Sequence, residues 1–148
     1  MNALLKKLNV RPGSTVLVEN VPADLQPLVE ELKSLTSVSG AAPVQWALAF
    51  VTTQAEIDTL VPLMAEKAPG DAVLWFAYPK GTSKRYRCDF NRDTGWATLG
   101  RFGFEGVRQV AINDDWSALR FRRVEFIQSL KRDEKRALSE AGKQRVSK

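Results

Sequence analysis

The sequence predicts an α/β fold, a three-layer sandwich around a mainly parallel five-stranded sheet that ends in an antiparallel hairpin and is followed by a C-terminal helix. Three observations predict it. The runs Val44 to Val51 and Ala72 to Tyr78 are apolar on both alternating faces, as strands covered by helices on either side must be. Apolar stripes of helical period separate the strands. Finally, the runs Val107 to Ile112 and Trp116 to Val124 are joined only by Asn113, Asp114 and Asp115. That join is too short for a crossover helix, so the two runs must pair antiparallel.

The elements follow in order. Ser14 to Glu19 is a β-rich run entered through Arg11-Pro12-Gly13 and reads as the first strand. Asp24 is placed to cap a helix whose stripe is Leu25, Leu28, Val29, Leu32 and Leu35. Pro27 is tolerated because a helix's first turn has no internal partner for the missing N–H. Thr36 to Ala42 reads as a loop leading to the Val44 strand. Thr53 and Glu56 form a capping-box pattern ahead of Ile57, Leu60, Val61 and Met64. Pro62 lies inside that helix and predicts a bend or a split near Leu60. After the strand Ala72 to Tyr78, Asn91 or Asp93 is placed to cap a third helix carrying Trp96, Leu99 and Phe102, weakened by Gly95. From Glu125 a last helix docks Phe126, Ile127 and Leu130 before its apolar period fades. The strand and helix order is Rossmann-like, without internal repeats.

A chain of 148 residues, 44% hydrophobic and 26% charged, is one ordinary domain. At that size folding buries roughly 70% of the surface the unfolded chain exposes, so no disulfide or metal is required for a core. We assign 1–130 to the α/β domain and 131–148 to a basic tail or helix extension. With no histidine and one cysteine, Cys88, the chain cannot build a Ser-His-Asp triad, a Cys-His pair or a thiolate zinc site. Catalytic residues, metal and cofactor are all expected to be none, with Asp114 and Asp115 reading as an ordinary polar turn and, as the alternative, as a base or magnesium site. Arg85 and Arg87 would lower the Cys88 pKa if they lay close. No apolar run approaches the roughly 18 residues of a membrane span, and the start MNALLKKLNV lacks a signal peptide's apolar core. A cytoplasmic protein without membrane contact is expected.

The formal charge of +5 is unevenly spread. Lys131 to Lys148 holds seven Lys/Arg against three acids, whereas the rest holds 15 against 14. The tail is therefore either a solvated end or a site for an acidic partner or nucleic acid.

Two resemblances emerge from these residues. The terminal hairpin, with RPGSTVLV and APGDAVLWFAYPK leading into strands, resembles a truncated class I methyltransferase fold between Val10 and Val124. Such enzymes hold S-adenosylmethionine through a glycine-rich turn directly after the first strand. Here that turn is Glu19-Asn20-Val21-Pro22-Ala23-Asp24, without glycine, so the resemblance implies the fold and not the cofactor. The pairing of Pro79-Lys80 with Asp115-Trp116-Ser117-Ala118-Leu119-Arg120 is similar to the small bacterial family named domain of unknown function 3052. That resemblance implies fold and no activity.

In open parallel sheets ligands sit at the carboxyl ends of the strands. The segment there that stands out is Pro79 to Arg92, long for a strand-to-helix join and carrying Lys80, Lys84, Arg85, Arg87 and Arg92 against Asp89. The candidate site is Lys80, Lys84, Arg85 and Arg92, with Asp115 and Trp116, and its ligand a small anion. The loop is either that site or a solvated surface in which Lys80 pairs with Asp114 or Asp115. Trp96 and Trp116 read as core aromatics or as stacking surfaces, and Tyr86 between two arginines resembles single-strand binders. Arg120, Arg122 and Arg123 fit an edge strand, where charge blocks aggregation. The leading expectation is a non-catalytic domain binding a small anion or a protein partner. The alternatives are a minimal enzyme on a phosphorylated or nucleotide substrate, and a nucleic-acid accessory protein acting through the tail.

Overall fold

The computed structural model describes residues 2–38, 43–90 and 95–127. The elements are α1 (Ala3–Lys7), β1 (Thr15–Glu19), α2 (Gln26–Leu35), β2 (Ser37–Val38), β3 (Trp46–Phe50), α3 (Gln54–Lys67), β4 (Val73–Pro79), α4 (Ala97–Arg101), β5 (Phe104–Ala111) and β6 (Trp116–Arg123). Short 3-10 turns stand at Ala23–Leu25 and Val124–Phe126. One sheet runs β2-β1-β3-β4-β6-β5. The first four of these strands are mutually parallel, and β6 is antiparallel to both β4 and β5. The mainly parallel sheet with a terminal hairpin is thus present, widened by the two-residue β2 inside what reads as a loop.

The core follows from the two-residue period of the central strands. On β3, Trp46, Leu48 and Phe50 face one cluster with Leu5 of α1, Leu8 just after it, Leu25 of the 3-10 turn and Leu32 of α2. Ala47, Ala49 and Val51 face the other, with Ile57, Val61 and Met64 of α3 and Leu99 of α4. Both faces are apolar because both are covered. Large side chains on one face and alanines on the other let α3 lie close to the sheet.

Several local features depart from the expectations. α1 was not foreseen: Asn2 caps it by accepting from the Leu5 N–H at 2.8 Å, and Leu5 and Leu8 dock on the indoles. Both Trp46 and Trp75 donate their Nε1–H to the Leu8 carbonyl, at 2.7 and 2.8 Å. Pro62 does not split α3, which runs unbroken from Gln54–Lys67. Pro62 and Asp58, four residues before it, both face solvent, so water can satisfy the carbonyl the ring leaves free. Asp24 is not a helix cap, since α2 has no side-chain cap and enters through the 3-10 turn. The helix expected from Asn91 or Asp93 is only the five residues of α4, and those two acceptors lie outside the described residues, as do Leu130 and the tail.

The three arginines of β6 are not on an edge, because β5 lies outside β6. Arg123 instead donates to the carbonyls of Ala65, Ala68 and Gly70 at 2.9, 2.9 and 2.6 Å, closing the C-terminal end of α3. Arg122 holds Asp71 through two 2.8 Å hydrogen bonds.

Candidate functional site

At the carboxyl edge the chain crosses itself. Pro79 pairs with Trp116 in the β4–β6 register, and the Lys80 N–H donates to the Asp115 carbonyl at 2.8 Å. Beyond that point the loop is fastened on both sides of the sheet. Tyr86 packs with the α2 face, its ring 4.9 Å from that of Trp116, and its hydroxyl donates to Asp24 at 2.5 Å. Phe90 packs with the opposite face, against Tyr78 and Trp96. Between them the Asp89 N–H donates to the Thr52 carbonyl at 3.1 Å, and the Asp89 carboxylate accepts the Gln54 N–H at 2.7 Å. Residues 86 to 90 therefore pass over the strand ends from one layer to the other.

The positive end of α3 is consumed in the same place. Thr53 accepts from the Glu56 N–H, and Glu56 accepts from the N–H groups of Thr52 and Thr53, so the capping box forms as its spacing predicts. Asp89 takes the next free donor, Gln54. A helix N-terminus that attracts anions is here filled by two carboxylates of the chain. Asn20, with a left-handed φ of 62°, ties the end of β1 to this group by donating to the Phe50 carbonyl at 2.8 Å and to Glu56 at 2.5 Å. Burial pushes the Glu56 pKa up, but the hydrogen bonds from Thr52, Asn20 and Thr53 outweigh it and hold the carboxyl below its ordinary value.

The candidate residues divide. Arg85 spans two carboxylates, 3.5 Å from Asp24 and 3.9 Å from Asp115. Asp115 also accepts from the Ser83 hydroxyl at 2.8 Å. Trp116 is buried, edge-on to Phe50. These three residues build the edge. Lys80 is half-buried and Lys84 exposed, and Lys80 meets Asp115 through its backbone, so the aspartate's ion pair belongs to Arg85. Arg92 lies outside the described residues. Trp96 is a core residue ringed by Phe76, Tyr78, Phe90 and Phe121.

Under the loop, on the α4 side, opens a cleft of about 980 Å³ that includes Lys80, Ser83, Arg87, Cys88, Gln109 and Ser117 among its walls. Arg87, Gln109 and Ser117 were not foreseen as neighbours. Arg87 was legible as charge, but β5 and β6 reach the cleft only through the hairpin register, which pairs Ala111 with Ser117 and Gln109 with Leu119. Cys88 is no activated thiol: burial raises its pKa, a hydrogen bond from the Phe90 backbone opposes this, and Asp89 adds to the rise. Among the described residues no group of three or more Cys, Asp or Glu is placed to hold a metal. No described helix is long and apolar enough to cross a membrane.

No protein-family model matches the chain, and no curated protein does. Solved structures do. A SAM-dependent methyltransferase from Aquifex aeolicus superposes with a TM-score of 0.56 at 14% identity, over 81% of this chain and 87% of that one. The N-methyltransferase NodS from Bradyrhizobium japonicum WM9, in complex with S-adenosyl-L-homocysteine, gives 0.51 at 13% identity over 82% and 83%. The pyocyanin biosynthetic protein PhzM gives 0.55 at 15% identity over 82% of this chain and 53% of its own. The chain has the Rossmann-like fold of the S-adenosylmethionine-dependent methyltransferases. At these identities the likeness is one of fold.

The residues at the end of β1 do not fit the nucleoside cofactor that the fold implies. A bare glycine backbone would be needed there, and the turn instead carries Asn20 and Pro22, with Asn20 committed to Phe50 and Glu56. Asp24, beyond that turn, is held by Tyr86 and Arg85 from the crossing loop.

Proposed function

We propose that this chain is a methyltransferase-fold domain that has given up the cofactor cleft and binds a small anion beside it, without catalysis. One observation carries the reading: the loop after β4 crosses the strand ends and is held at Asp24 by Tyr86 and at Gln54 by Asp89. A loop so fastened fills the region where the fold's ligands sit and leaves the adjoining cleft with Lys80 and Arg87 on its wall. Lys84 adds positive charge along the same loop, while Arg85, Asp115 and Trp116 shape it.

Membership of the domain of unknown function 3052 family is part of this reading. It is supported by the adjacency of its two motifs, since Pro79 pairs with Trp116 and Lys80 bonds to Asp115. The enzyme alternative is supported only by the fold.

Titration calorimetry with S-adenosylmethionine and with inorganic phosphate tests the proposal. Phosphate should give saturable heat that Arg87→Met reduces, and the sulfonium ligand none. Saturable micromolar binding of S-adenosylmethionine would instead establish the degenerate-methyltransferase alternative.

A further inference from the structure

The opposite edge of the sheet carries a second cleft, of about 1040 Å³, between the chain after α1, the starts of β3 and β4, and the end of β6. Its charged lining is Arg11, Arg120 and Arg122 against Asp71. Arg122 spends that carboxylate, taking both oxygens at 2.8 Å. Arg120 is left with a buried Nε that has no hydrogen-bond partner among the described residues. The register aggravates this, because Arg120 stands opposite Arg108 on β5, a like-charge cross-strand pair that opposes folding. Burial, followed by the charge of Arg122, pulls the Arg120 pKa down, Asp71 pulls it back, and Arg108 adds to the fall. A guanidinium stays charged in proteins all the same, so the cost of desolvating it is met only by an acceptor.

A second orphan lies in the same cleft. The Asn9 Oδ1 is buried without a donor among the described residues, on a residue held in the left-handed region at φ 64°. One wall therefore lacks an acceptor and the other a donor. We propose that this amino-edge cleft binds a small phosphorylated molecule, its phosphoryl oxygens on Arg120 and Arg11 and a ligand hydroxyl on Asn9. An anion beside Arg120 offsets the like charge that Arg108 places across the register, and charge-assisted hydrogen bonds to a guanidinium are the strong kind. The site is independent of Lys80 and Arg87 at the other edge.

Thermal unfolding with inorganic phosphate and with ribose 5-phosphate tests it, each against sodium chloride of equal ionic strength. The wild-type melting temperature should rise with the logarithm of either ligand, more steeply placed for the sugar phosphate. In a Lys80→Met background, which silences the loop cleft, Arg120→Met should weaken both by at least about tenfold, the order expected of one hydrogen bond to a charged group. In phosphate-free buffer Arg120→Met alone should melt no lower than wild type, because it removes a partly buried guanidinium whose Nε has no partner among the described residues. Asn9→Gly, which keeps the backbone conformation, should abolish the advantage of ribose 5-phosphate over phosphate. Lys80→Met should leave ribose 5-phosphate binding unchanged. Equal stabilisation of the Lys80→Met protein with and without Arg120→Met overturns the proposal, as does stabilisation matched by sodium chloride or ribose 5-phosphate stabilisation lost with Lys80. A single-stranded oligonucleotide that displaces the sugar phosphate at similar concentration would also overturn it, marking a polyanion surface.

Discussion

The Tyr86 hydroxyl donates to the Asp24 carboxylate at 2.5 Å, joining the loop after β4 to the turn that leads into α2, 62 residues earlier. The bond shifts the phenol upward: the hydrogen bond to Asp24 is the main cause, burial and the Asp24 charge add to it, and Arg85 opposes. A folded-state pKa above the unfolded value near 10 means stability that is present below about pH 10 and lost as the phenol ionises above it. Tyr86→Phe should melt lower than wild type at pH 7, and the difference should shrink as pH rises past about 10. A constant difference across that range would mean that the ring, and not the hydroxyl, fastens the loop.

Glu56 makes the mirror-image prediction in acid. Its carboxyl is held low by donors from Thr52, Asn20 and Thr53 despite burial, so its stabilisation is present above the unfolded pKa of about 4.3 and lost as pH falls through the folded value. Glu56→Ala removes the reciprocal half of the capping box and the partner of Asn20. A loss of about 1 to 2 kcal/mol at pH 7 is expected, declining toward pH 3. Denaturant titrations at three pH values read it.

What was legible in the sequence was whatever depends on neighbours a few residues apart. The doubly apolar β3 and β4, the tight Asn113–Asp115 join and the Thr53–Glu56 box each announce themselves within a short window. α1 was hidden because five residues make too little stripe, and its docking depends on indoles from β3 and β4. The arginines of β6 looked like edge charges because nothing local says which hairpin strand joins β4. The site was half legible for the same reason. The basic loop was visible as composition, yet its partners Asp24, Gln54 and Thr52 are distant in sequence and are chosen by the crossing of the sheet.

Gly95 shows how a local reading mistakes the cause. As a helix-weakening residue it would become more stable as alanine. A Cβ at that position would lie 2.3 Å from Cδ2 and 2.8 Å from Cγ of Phe90, whose ring is packed against Tyr78 and Trp96. Gly95→Ala should therefore destabilise by about 1 to 3 kcal/mol, the usual cost of overpacking. A more stable alanine variant would show that Phe90 is free to move.

The last prediction separates the loop's structural charge from its binding charge. Arg85 reaches Asp24 and Asp115, at 3.5 and 3.9 Å, while its own side chain is 61% exposed, so the pairs are of the weak, solvent-screened kind. Arg85→Met should cost at most about 1 kcal/mol of stability and should leave the affinity for inorganic phosphate at the loop nearly unchanged. Lys80 contributes to the edge through its N–H, which survives substitution, and its ammonium, without an ion-pair partner among the described residues, lines the adjoining cleft. Lys80→Met should thus leave the melting temperature in phosphate-free buffer where it was and weaken phosphate by about 1.5 to 3 kcal/mol, the range for hydrogen bonds to charged groups. The measurement is best made in an Arg120→Met background, which silences the amino-edge cleft. If Lys80→Met lowers the melting point while phosphate affinity holds, the lysine is a structural partner of the edge and the cleft beside it binds no anion.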